Sequence, residues 1–301
     1  MNMVQAVNSA LDNMLSMDED VLVFGEDVGY FGGVFRTTDG LQEKHGAHRV
    51  FDTPLSEGGI AAIAFGMGLN GLKPVCEIQF ADYIFPAYDQ IVNEIAKLRH
   101  RSGGEFWTPI TIRTPAGGGI RGGHHHSQSP ESQFTHTPGL KVVYSSTPYN
   151  AKGLLISAIE SEDPVIVFEP KRCYRGPFYG DPHKVPTWSG HAEAEVPDLH
   201  YTVPIGEARL VTEGNDCTVI AWGTMVHVCE EGIRQSGASC DLIDLQSLIP
   251  WDREAVVRSV KKTGRCVIVH EAPKTSGYGA EMAASVQERC FWSLEAPVTR
   301  V

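Results

Sequence analysis

Residues 74–113 read PVCEIQFADYIFPAYDQIVNEIAKLRHRSGGEFWTPITIR, and this stretch decides the class of fold. Its two short apolar runs, 74–80 and 109–113, have the length and composition of buried strands. Between them, apolar residues recur at helical spacing and predict a helix over 86–100. Strands that alternate with helices indicate a mostly parallel sheet covered on both faces.

The same alternation continues on both sides of this unit and is interrupted once. Residues 171–204 carry five prolines and no sustained hydrophobic period, which is typical of a linker that wraps over a surface. We therefore expect an α/β fold with two α/β domains, 1–180 and 205–301, joined by a linker over 181–204. The other predicted strands are 21–24, 140–144, 164–168, 218–222, 240–245 and 265–270, and the other predicted helices are 4–14, 57–70, 150–162, 225–236, 252–261 and 278–290.

Composition and charge exclude several classes of partner. The 301 residues carry a formal net charge of −12, so no basic stripe is available to neutralise the phosphates of a nucleic acid. No basic leader precedes an apolar run and no apolar stretch could span a bilayer, so we expect neither a secretory signal nor a membrane anchor. The seven cysteines form no CxxC pair, which indicates reduced thiols in a cytoplasm-like compartment, or in the mitochondrial matrix if a transit peptide has been removed.

A glycine-rich segment, GGGIRG at 117–122, satisfies the G-x-G-x-x-G pattern of dinucleotide sites. In such sites a hydrophobic helix opens at this point, so that its amides face the pyrophosphate. Here the chain continues into the polar sequence HHHSQSPESQF, and no acidic residue closes a strand about 20 positions on. We therefore reject an NAD site and expect a flexible or closely approached loop.

Three adjacent histidines, His124, His125 and His126, raise the question of a metal site. In an extended segment His124 and His126 would share a face while His125 points away. Two imidazoles need further ligands to hold zinc, and no Cys or carboxylate stands at the usual spacing. Two other interpretations stay open: ordinary loop histidines, or one histidine that handles protons over a pocket.

Two more segments can be interpreted either structurally or chemically. Glu57 is the only carboxylate in an otherwise apolar helix predicted over 57–70. In one interpretation Ser56 caps that helix and Glu57 complements its dipole. In the other, Glu57 shares a proton with a ring nitrogen of a ligand. Similarly, Tyr83 and Tyr88 are either core aromatics or, at the carboxyl end of a strand, a stacking surface for a flat heterocycle.

Six motifs occur along the chain in an order shared with one family. They are GEDVGYFGGVF (25–35), FDTPLSEGGIAAIAFGMG (51–68), EIQFADYIFPAYDQIVNE (77–94), HSQSPE (126–131), LIPWD (248–252) and HEAP (270–273). With these motifs the whole chain resembles the beta subunit of the thiamine-diphosphate-dependent 2-oxo acid dehydrogenases. FADYIFPAYDQ is more similar to the branched-chain (2-oxoisovalerate) members than to the pyruvate members. The resemblance implies a transketolase-like pyrimidine-binding domain followed by a smaller C-terminal transketolase-type domain.

The resemblance also implies the site residues. Glu57 matches the glutamate that protonates the aminopyrimidine ring of thiamine diphosphate. His126 matches the histidine that manages protons during reductive acylation of a lipoyl group. The matching positions around the pyrimidine are Leu55, Gln79 and Tyr83. A structural potassium site, formed partly by backbone carbonyls, would use Thr108, Ile110, Thr111, Ala158 and Ser161.

The partner implied by the resemblance is an alpha subunit, in an α2β2 heterotetramer with the cofactor at the alpha–beta interface. Thiamine enzymes hold the diphosphate through magnesium on a GDG motif, which this sequence lacks, so magnesium is expected on the alpha subunit. The complex would oxidatively decarboxylate small branched-chain 2-oxo acids. It would pass the acyl group to a lipoyl-bearing dihydrolipoyl transacylase core.

Three alternatives remain at this point. One is a pyruvate dehydrogenase beta subunit, and another is a self-sufficient transketolase-type or deoxyxylulose-phosphate-synthase-type enzyme, against which the missing GDG argues. The third is a non-catalytic assembly module, against which the presence of both Glu57 and His126 argues. Relatives in the family continue beyond the position of Val301, so we expect the C-terminal domain to be truncated at its end.

Overall fold

The computed structural model describes residues 1–174 and 194–301. Of the predicted linker over 181–204, the part 181–193 therefore lies outside the described residues. Its remaining part is tied to the first half of the chain. The Met1 amino group donates to the Ala194 carbonyl, and the Lys152 ammonium donates to the carbonyls of Pro197 and Asp198.

The first half of the chain supplies six strands of one sheet. Their order is β5-β6-β4-β3-β1-β2, and all neighbours among them pair in parallel. The strands predicted there are present with their ends shifted, whereas β2 was not predicted, since three residues carry no period. The bounds are β1 (Val21–Gly25), β2 (Val50–Asp52), β3 (Lys73–Glu77), β4 (Thr111–Ala116), β5 (Lys141–Tyr144) and β6 (Val165–Pro170).

Helices cover both faces of this sheet. They are α1 (Met3–Met17), α2 (Leu41–His45), α3 (Glu57–Leu69), α4 (Leu98–Arg101), α5 (Glu131–Thr135) and α6 (Pro148–Ile159). Val21 and Val23 pack with α1 and α6, whereas Leu22 and Phe24 pack with α3. Successive strand residues point to opposite faces, so a strand buried on both sides is apolar throughout.

The helix predicted over 86–100 is not one regular helix. A 3-10 turn, Phe85–Ala87, leads into a π-helix, Gln90–Ile95, before the segment ends in α4. Ile91 and Ile95 are nevertheless fully buried. The hydrophobic period therefore identified the buried face, but the hydrogen-bond pattern of the backbone is the wider one of a π-helix, with the Ala96 amide donating to the Ile91 carbonyl.

The second half of the chain forms a five-stranded sheet in the order β12-β11-β8-β9-β7. Its strands are parallel except β7, which pairs with β9 in antiparallel fashion. The bounds of the strands in this half are β7 (Arg209–Thr212), β8 (Cys217–Ala221), β9 (Cys240–Asp244), β10 (Ser247–Ile249), β11 (Cys266–Val269) and β12 (Thr299–Arg300). The helices are α7 (Thr224–Ser236), α8 (Arg253–Thr263) and α9 (Tyr278–Cys290).

One strand of the second half joins the first sheet. β10 pairs antiparallel with β5 and becomes the seventh strand. Apolar side chains of the second half, such as Ile220 and Ile268, belong to the same hydrophobic cluster as Phe24. Residues 205–301 therefore share a sheet edge and a core with the first half, a connection that the sequence pattern did not predict.

A charged cluster is buried within the first sheet. Arg113 on β4 donates to the carboxylate of Glu77 on β3 and, through Nε and Nη2, to that of Glu169 on β6 at 2.9 and 2.6 Å. None of the three side chains is more than 2% exposed. Because buried carboxylates without a counter-charge are costly, Arg113 is required for this arrangement.

Candidate functional site

The residues predicted for the site meet at the carboxyl ends of neighbouring strands. Gln79 and Tyr83 follow β3, and the loop that carries His126 follows β4. The segment between β2 and α3 brings Leu55 and Glu57 to the same edge of the sheet. Ligands of open α/β sheets bind at this edge, where loops and helix N-termini converge.

Tyr83 and His126 form a hydrogen-bonded pair. The Tyr83 hydroxyl lies 2.9 Å from Nε2 of His126, and the Gly122 carbonyl lies 2.8 Å from Nδ1. A carbonyl can only accept, so Nδ1 carries a proton, and Nε2 of the neutral ring accepts from the Tyr83 hydroxyl. The ring also meets Phe80 edge-on, with 4.6 Å between centroids. His126 is thus held in one tautomer, with its basic nitrogen toward Tyr83.

The three histidines form a 3-10 turn, His124–His126, and not an extended segment. The ring centroids of His124 and His125 lie 3.9 Å apart on exposed residues, whereas His126 is half-buried. The turn separates His126 from the other two because successive residues of a helical turn point in different directions. Among the described residues, no group of three or more His, Cys, Asp or Glu is placed to hold a metal ion.

The glycine-rich segment before the histidines is a closely approached loop, one of the two expected alternatives. A Cβ on Gly122 would lie 2.6 Å from the Cβ of His126. The loop is closed at its base, where the Gly117 amide donates to the Gln128 carbonyl at 2.9 Å. These glycines therefore allow a tight path around His126.

Asp82 holds the far end of this loop and was missed by the sequence analysis. Its carboxylate accepts from the backbone amides of Ser127 and Gln128 at 3.1 and 3.2 Å. Lys171 lies nearby, with its ammonium 5.5 Å from the ring centroid of Phe80. Burial lowers the pKa of Lys171 to about 8 against the opposing charge of Asp82. The sequence alone does not indicate which backbone amides, far away along the chain, an aspartate will contact.

Glu57 is the first residue of α3 and is half-buried. Ser56 caps the helix, since its hydroxyl accepts from the Gly59 amide at 3.3 Å, so this part of the structural interpretation is correct. The carboxylate of Glu57 also acts on a neighbour, Glu26, whose pKa it helps to raise. The helix cap and a chemical role for Glu57 are therefore compatible.

Glu26 is a second carboxylate at this edge that the sequence analysis did not single out. It is 5% exposed, and its Oε1 has no hydrogen-bond partner among the described residues. Burial raises the pKa of the Glu26 carboxyl, and the charges of Glu57, Asp27 and Glu77 raise it further. Such a group can share a proton with a ligand. Its signal was its position directly after β1, in GEDVG.

Gln79 and Leu55 line the same edge in different ways. The Gln79 amide donates to the Glu26 carbonyl at 3.4 Å and to the Asp27 carboxylate at 3.2 Å. Leu55 is exposed beside Glu57. The site therefore combines carboxylates, one amide and an open apolar side chain.

The positions that match a potassium site lie at the opposite, amino-terminal end of the first sheet. The carbonyls of Thr108 and Ile110 each accept one backbone N–H, which leaves each a second lone pair, whereas the Ala158 carbonyl accepts from the amides of both Glu160 and Ser161. The Ser161 hydroxyl accepts from the Lys141 ammonium at 3.0 Å. Thr111 begins β4 beside them. The carbonyl oxygens of Thr108 and Ile110 therefore keep a lone pair there, near the Lys141 ammonium, which already supplies one positive charge.

Two observations bear on the compartment and the membrane. All seven cysteines are free, and six of them are buried. Within 1–174 and 194–301, no helix combines the length and the apolar character needed to cross a membrane. The free cysteines agree with the expectation of reduced core thiols.

Two family models match the chain. "Transketolase, pyrimidine binding domain" matches residues 1–177, and "Transketolase, C-terminal domain" matches residues 206–301. A solved structure described as "split gene transketolase, inactive beta4 tetramer" is similar, with a TM-score of 0.74 at 21% identity over 100% of this chain and 88% of that one. The prediction of two α/β domains of transketolase type is confirmed.

Curated relatives identify the family more specifically than the two domain models do. The chain is 57% identical over its full length to 2-oxoisovalerate dehydrogenase subunit beta of Pseudomonas aeruginosa, of which it covers 86%. It is 55% identical, again over its full length, to the mitochondrial 2-oxoisovalerate dehydrogenase subunit beta of Dictyostelium discoideum, of which it covers 78%. Pyruvate dehydrogenase E1 component subunit beta of Acholeplasma laidlawii is 46% identical over 99% of this chain and 88% of that one. The predicted resemblance is confirmed, and the chain belongs to the family of 2-oxo acid dehydrogenase beta subunits, nearer to these 2-oxoisovalerate members than to this pyruvate member.

Proposed function

We propose that this chain, with an alpha subunit, oxidatively decarboxylates branched-chain 2-oxo acids and transfers the acyl group to a lipoyl group. The observation that carries the proposal is the meeting of Glu57, Glu26 and the Tyr83–His126 pair at one edge of a transketolase-type sheet. The higher identity to 2-oxoisovalerate dehydrogenase subunits supports branched-chain acids over pyruvate, which is the second candidate. When bound, thiamine diphosphate supplies the nucleophilic carbon and the electron sink for this chemistry.

The carboxylates fit the aminopyrimidine end of this cofactor. Glu57 would hold a proton at the pyrimidine ring nitrogen. The charge of Glu57 helps to raise the pKa of Glu26, whose buried Oε1 has no hydrogen-bond partner among the described residues, so Glu26 offers a further polar contact at this edge. Gln79 would offer polar contact to the ring, and Leu55 apolar contact.

His126 would move a proton at the acyl-transfer stage. Its Nδ1 is fixed as a donor by Gly122, so Nε2 is the atom that can accept or return a proton. Tyr83 orients this nitrogen through its hydroxyl. The role at the lipoyl group is carried over from the family, and the tautomer agrees with it.

The alpha subunit would cover the apolar surface around Glu57. α3 is built of Gly, Ala, Ile, Phe, Met and Leu after its first residue, and Ile63 and Leu69 are exposed on it. Leu55, two residues before Glu57, is 84% exposed. A helix that is apolar all round is normally buried on every side, so this face fits a permanent subunit interface. We place the cofactor there, with its magnesium on the alpha subunit, in an α2β2 heterotetramer.

Other parts of the proposal rest on the family. A dihydrolipoyl transacylase core would provide the lipoyl group. A potassium ion would be held by carbonyls at Thr108, Ile110 and Ala158 together with Thr111 and Ser161, in competition with the Lys141 ammonium.

We propose the cytoplasm as the compartment, which the free cysteines support, with the mitochondrial matrix as the alternative. We propose domain limits at 1–180 and 205–301, which the two sheets support except at β10, where the second half adds a strand to the first sheet.

Co-expression with candidate alpha subunits tests the function. The purified complex is assayed for lipoyl acylation with 3-methyl-2-oxobutanoate and with pyruvate. We expect kcat/KM to favour the branched-chain acid by about tenfold or more. The reverse preference would assign the chain to pyruvate. Turnover by this chain without an alpha subunit would support the alternative of a self-sufficient enzyme. A stable complex without turnover would support the alternative of a non-catalytic assembly module.

A further inference from the structure

The loop that carries His126 is held from the second half of the chain as well as from the first. Glu271, in the HEAP sequence after β11, extends its carboxylate to the start of this loop. Its Oε1 accepts from the Gly118 amide at 2.6 Å. A backbone amide that donates to a carboxylate makes a short, charge-assisted hydrogen bond, roughly twice as strong as a neutral one.

The glycines at this point make room for that carboxylate. A Cβ on Gly117 would lie 2.6 Å from Oε2 of Glu271, and a Cβ on Gly118 would lie 3.2 Å from Oε1. Gly117 also has a φ of +74°, a conformation that other residues rarely adopt. The adjacent glycines Gly117 and Gly118 thus leave room for a side chain of the second half of the chain.

Anchors at both ends fix the path of the loop. Glu271 holds Gly118 at its start, and Asp82 holds the amide of Ser127 at its end. Between them, the Gly122 carbonyl sets the tautomer of His126. A displacement at Gly118 would therefore move the group that orients the imidazole.

We propose that Glu271 is a positioning residue that couples the second half of the chain to His126. It acts through the loop and does not contact the reacting atoms. This inference rests on the proposed function of His126. It predicts that the start of the loop becomes mobile, and acyl transfer slow, when the carboxylate is removed.

Hydrogen exchange and kinetics in the reconstituted alpha–beta complex test this coupling. The variants are Glu271→Ala and Glu271→Gln. The control is Glu281→Ala, on α9, because Glu281 and Glu271 both line a cleft of about 1060 Å³ between the two halves of the chain. We expect amide exchange over 117–123 to rise about tenfold in Glu271→Ala, because opening no longer breaks a charge-assisted bond. Glu271→Gln keeps an accepting oxygen and should recover part of the protection. Glu281→Ala should resemble the wild type.

The kinetic arm separates positioning from folding. We expect Glu271→Ala to lower kcat for acylation of a free lipoyl domain about tenfold, while thiamine diphosphate affinity and decarboxylation with an artificial electron acceptor stay near wild type. Unchanged exchange over 117–123 would overturn the anchoring. If Glu271→Ala speeds exchange but leaves acylation unchanged, while His126→Ala slows acylation, the coupling is overturned. If His126→Ala is itself silent, the proposed role of His126 fails, and the exchange data still decide whether Glu271 anchors the loop.

Discussion

Nε2 of His126 lies 2.9 Å from the hydroxyl of Tyr83, and the two residues come from segments that follow adjacent strands, β3 and β4. The pair therefore depends on the parallel order of the sheet, since carboxyl ends of neighbouring parallel strands meet at one edge. The Gly122 carbonyl holds the other ring nitrogen. His126 is the only one of the three adjacent histidines with this pair of ring contacts in the described part of the chain.

Replacing His126 by Ala should impair acyl transfer and spare cofactor binding. Loss of a general acid–base group costs about 100-fold or more, so lipoyl acylation should fall by that order. The affinity for thiamine diphosphate, measured by titration of the complex, should stay within about twofold, because the proposed pyrimidine contacts do not include His126. His124→Ala is the matched control from the same turn. If His124→Ala were damaging and His126→Ala silent, the assignment within the triplet would be wrong.

Replacing Tyr83 by Phe should have a smaller effect on the same step. The aromatic ring at this position would retain its packing against Phe80, but Nε2 of His126 would lose its donor. A single hydrogen bond contributes about 0.5–1.5 kcal/mol, so acylation should slow by about 2- to 10-fold. Tyr88→Phe, which removes a hydroxyl that donates to the Gln133 carbonyl, is the control and should leave acylation unchanged.

Replacing Glu57 by Gln separates the two interpretations of this residue. If Glu57 moves a proton at the cofactor, decarboxylation by the reconstituted complex should fall about 100-fold or more. If it only complements the dipole of α3, the variant should lose about 0.3–1 kcal/mol of stability and keep its activity. Glu43→Gln, in the first turn of α2, controls for the dipole effect. Near-normal decarboxylation in Glu57→Gln would refute the chemical role.

Replacing Arg113 by Met should destabilise the protein strongly. The carboxylates of Glu77 and Glu169 would remain buried without their counter-charge, at a cost of about 3–5 kcal/mol. Arg99→Met, which breaks a solvent-screened pair with Asp163, should cost far less. Denaturant midpoints of the two variants provide the comparison. Equal midpoints would show that the buried cluster contributes no more than a surface pair.

Glu131 should make stability depend on pH near neutrality. Its side chain is fully buried, with one oxygen accepting from the Trp222 indole at 3.2 Å. Burial raises the pKa of Glu131 to about 7 from 4.5. The folded protein thus holds a proton that the unfolded chain releases above about pH 4.5, so the stabilising contribution is complete below that pH and is lost as pH rises through about 7.

The size of this effect can be measured against Glu131→Gln, which keeps an acceptor for Trp222. Between pH 5 and about 7.5, the free energy of unfolding of the wild type should fall by about 2 kcal/mol relative to the variant. Glu288→Gln, exposed on α9, is the control. Parallel pH profiles for wild type and Glu131→Gln would show that this carboxyl does not titrate in that range.

The short strands β2, β7, β10 and β12 could not be predicted from the sequence, because each contributes at most two apolar residues. Long apolar runs such as the one in β1 were predicted nearly to the residue, since a strand buried on both faces is apolar throughout. The segment over 86–100 lies between these cases. Its buried face followed from the period, but its π-helical backbone did not, because the period alone does not fix the hydrogen-bond pattern.

The sequence by itself determined the alternation of strands and helices, the family motifs and the candidates Glu57 and His126, because these are encoded in local composition and order. Only the tertiary structure decided which groups meet. Glu26 and Asp82 became part of the site through contacts with residues far away along the chain. In the same way Glu271 reached the loop of His126 from the second half, and β10 paired with the first sheet. Such contacts depend on which strand ends adjoin and on how two halves share a core, and hydrophobic periodicity carries no information about either.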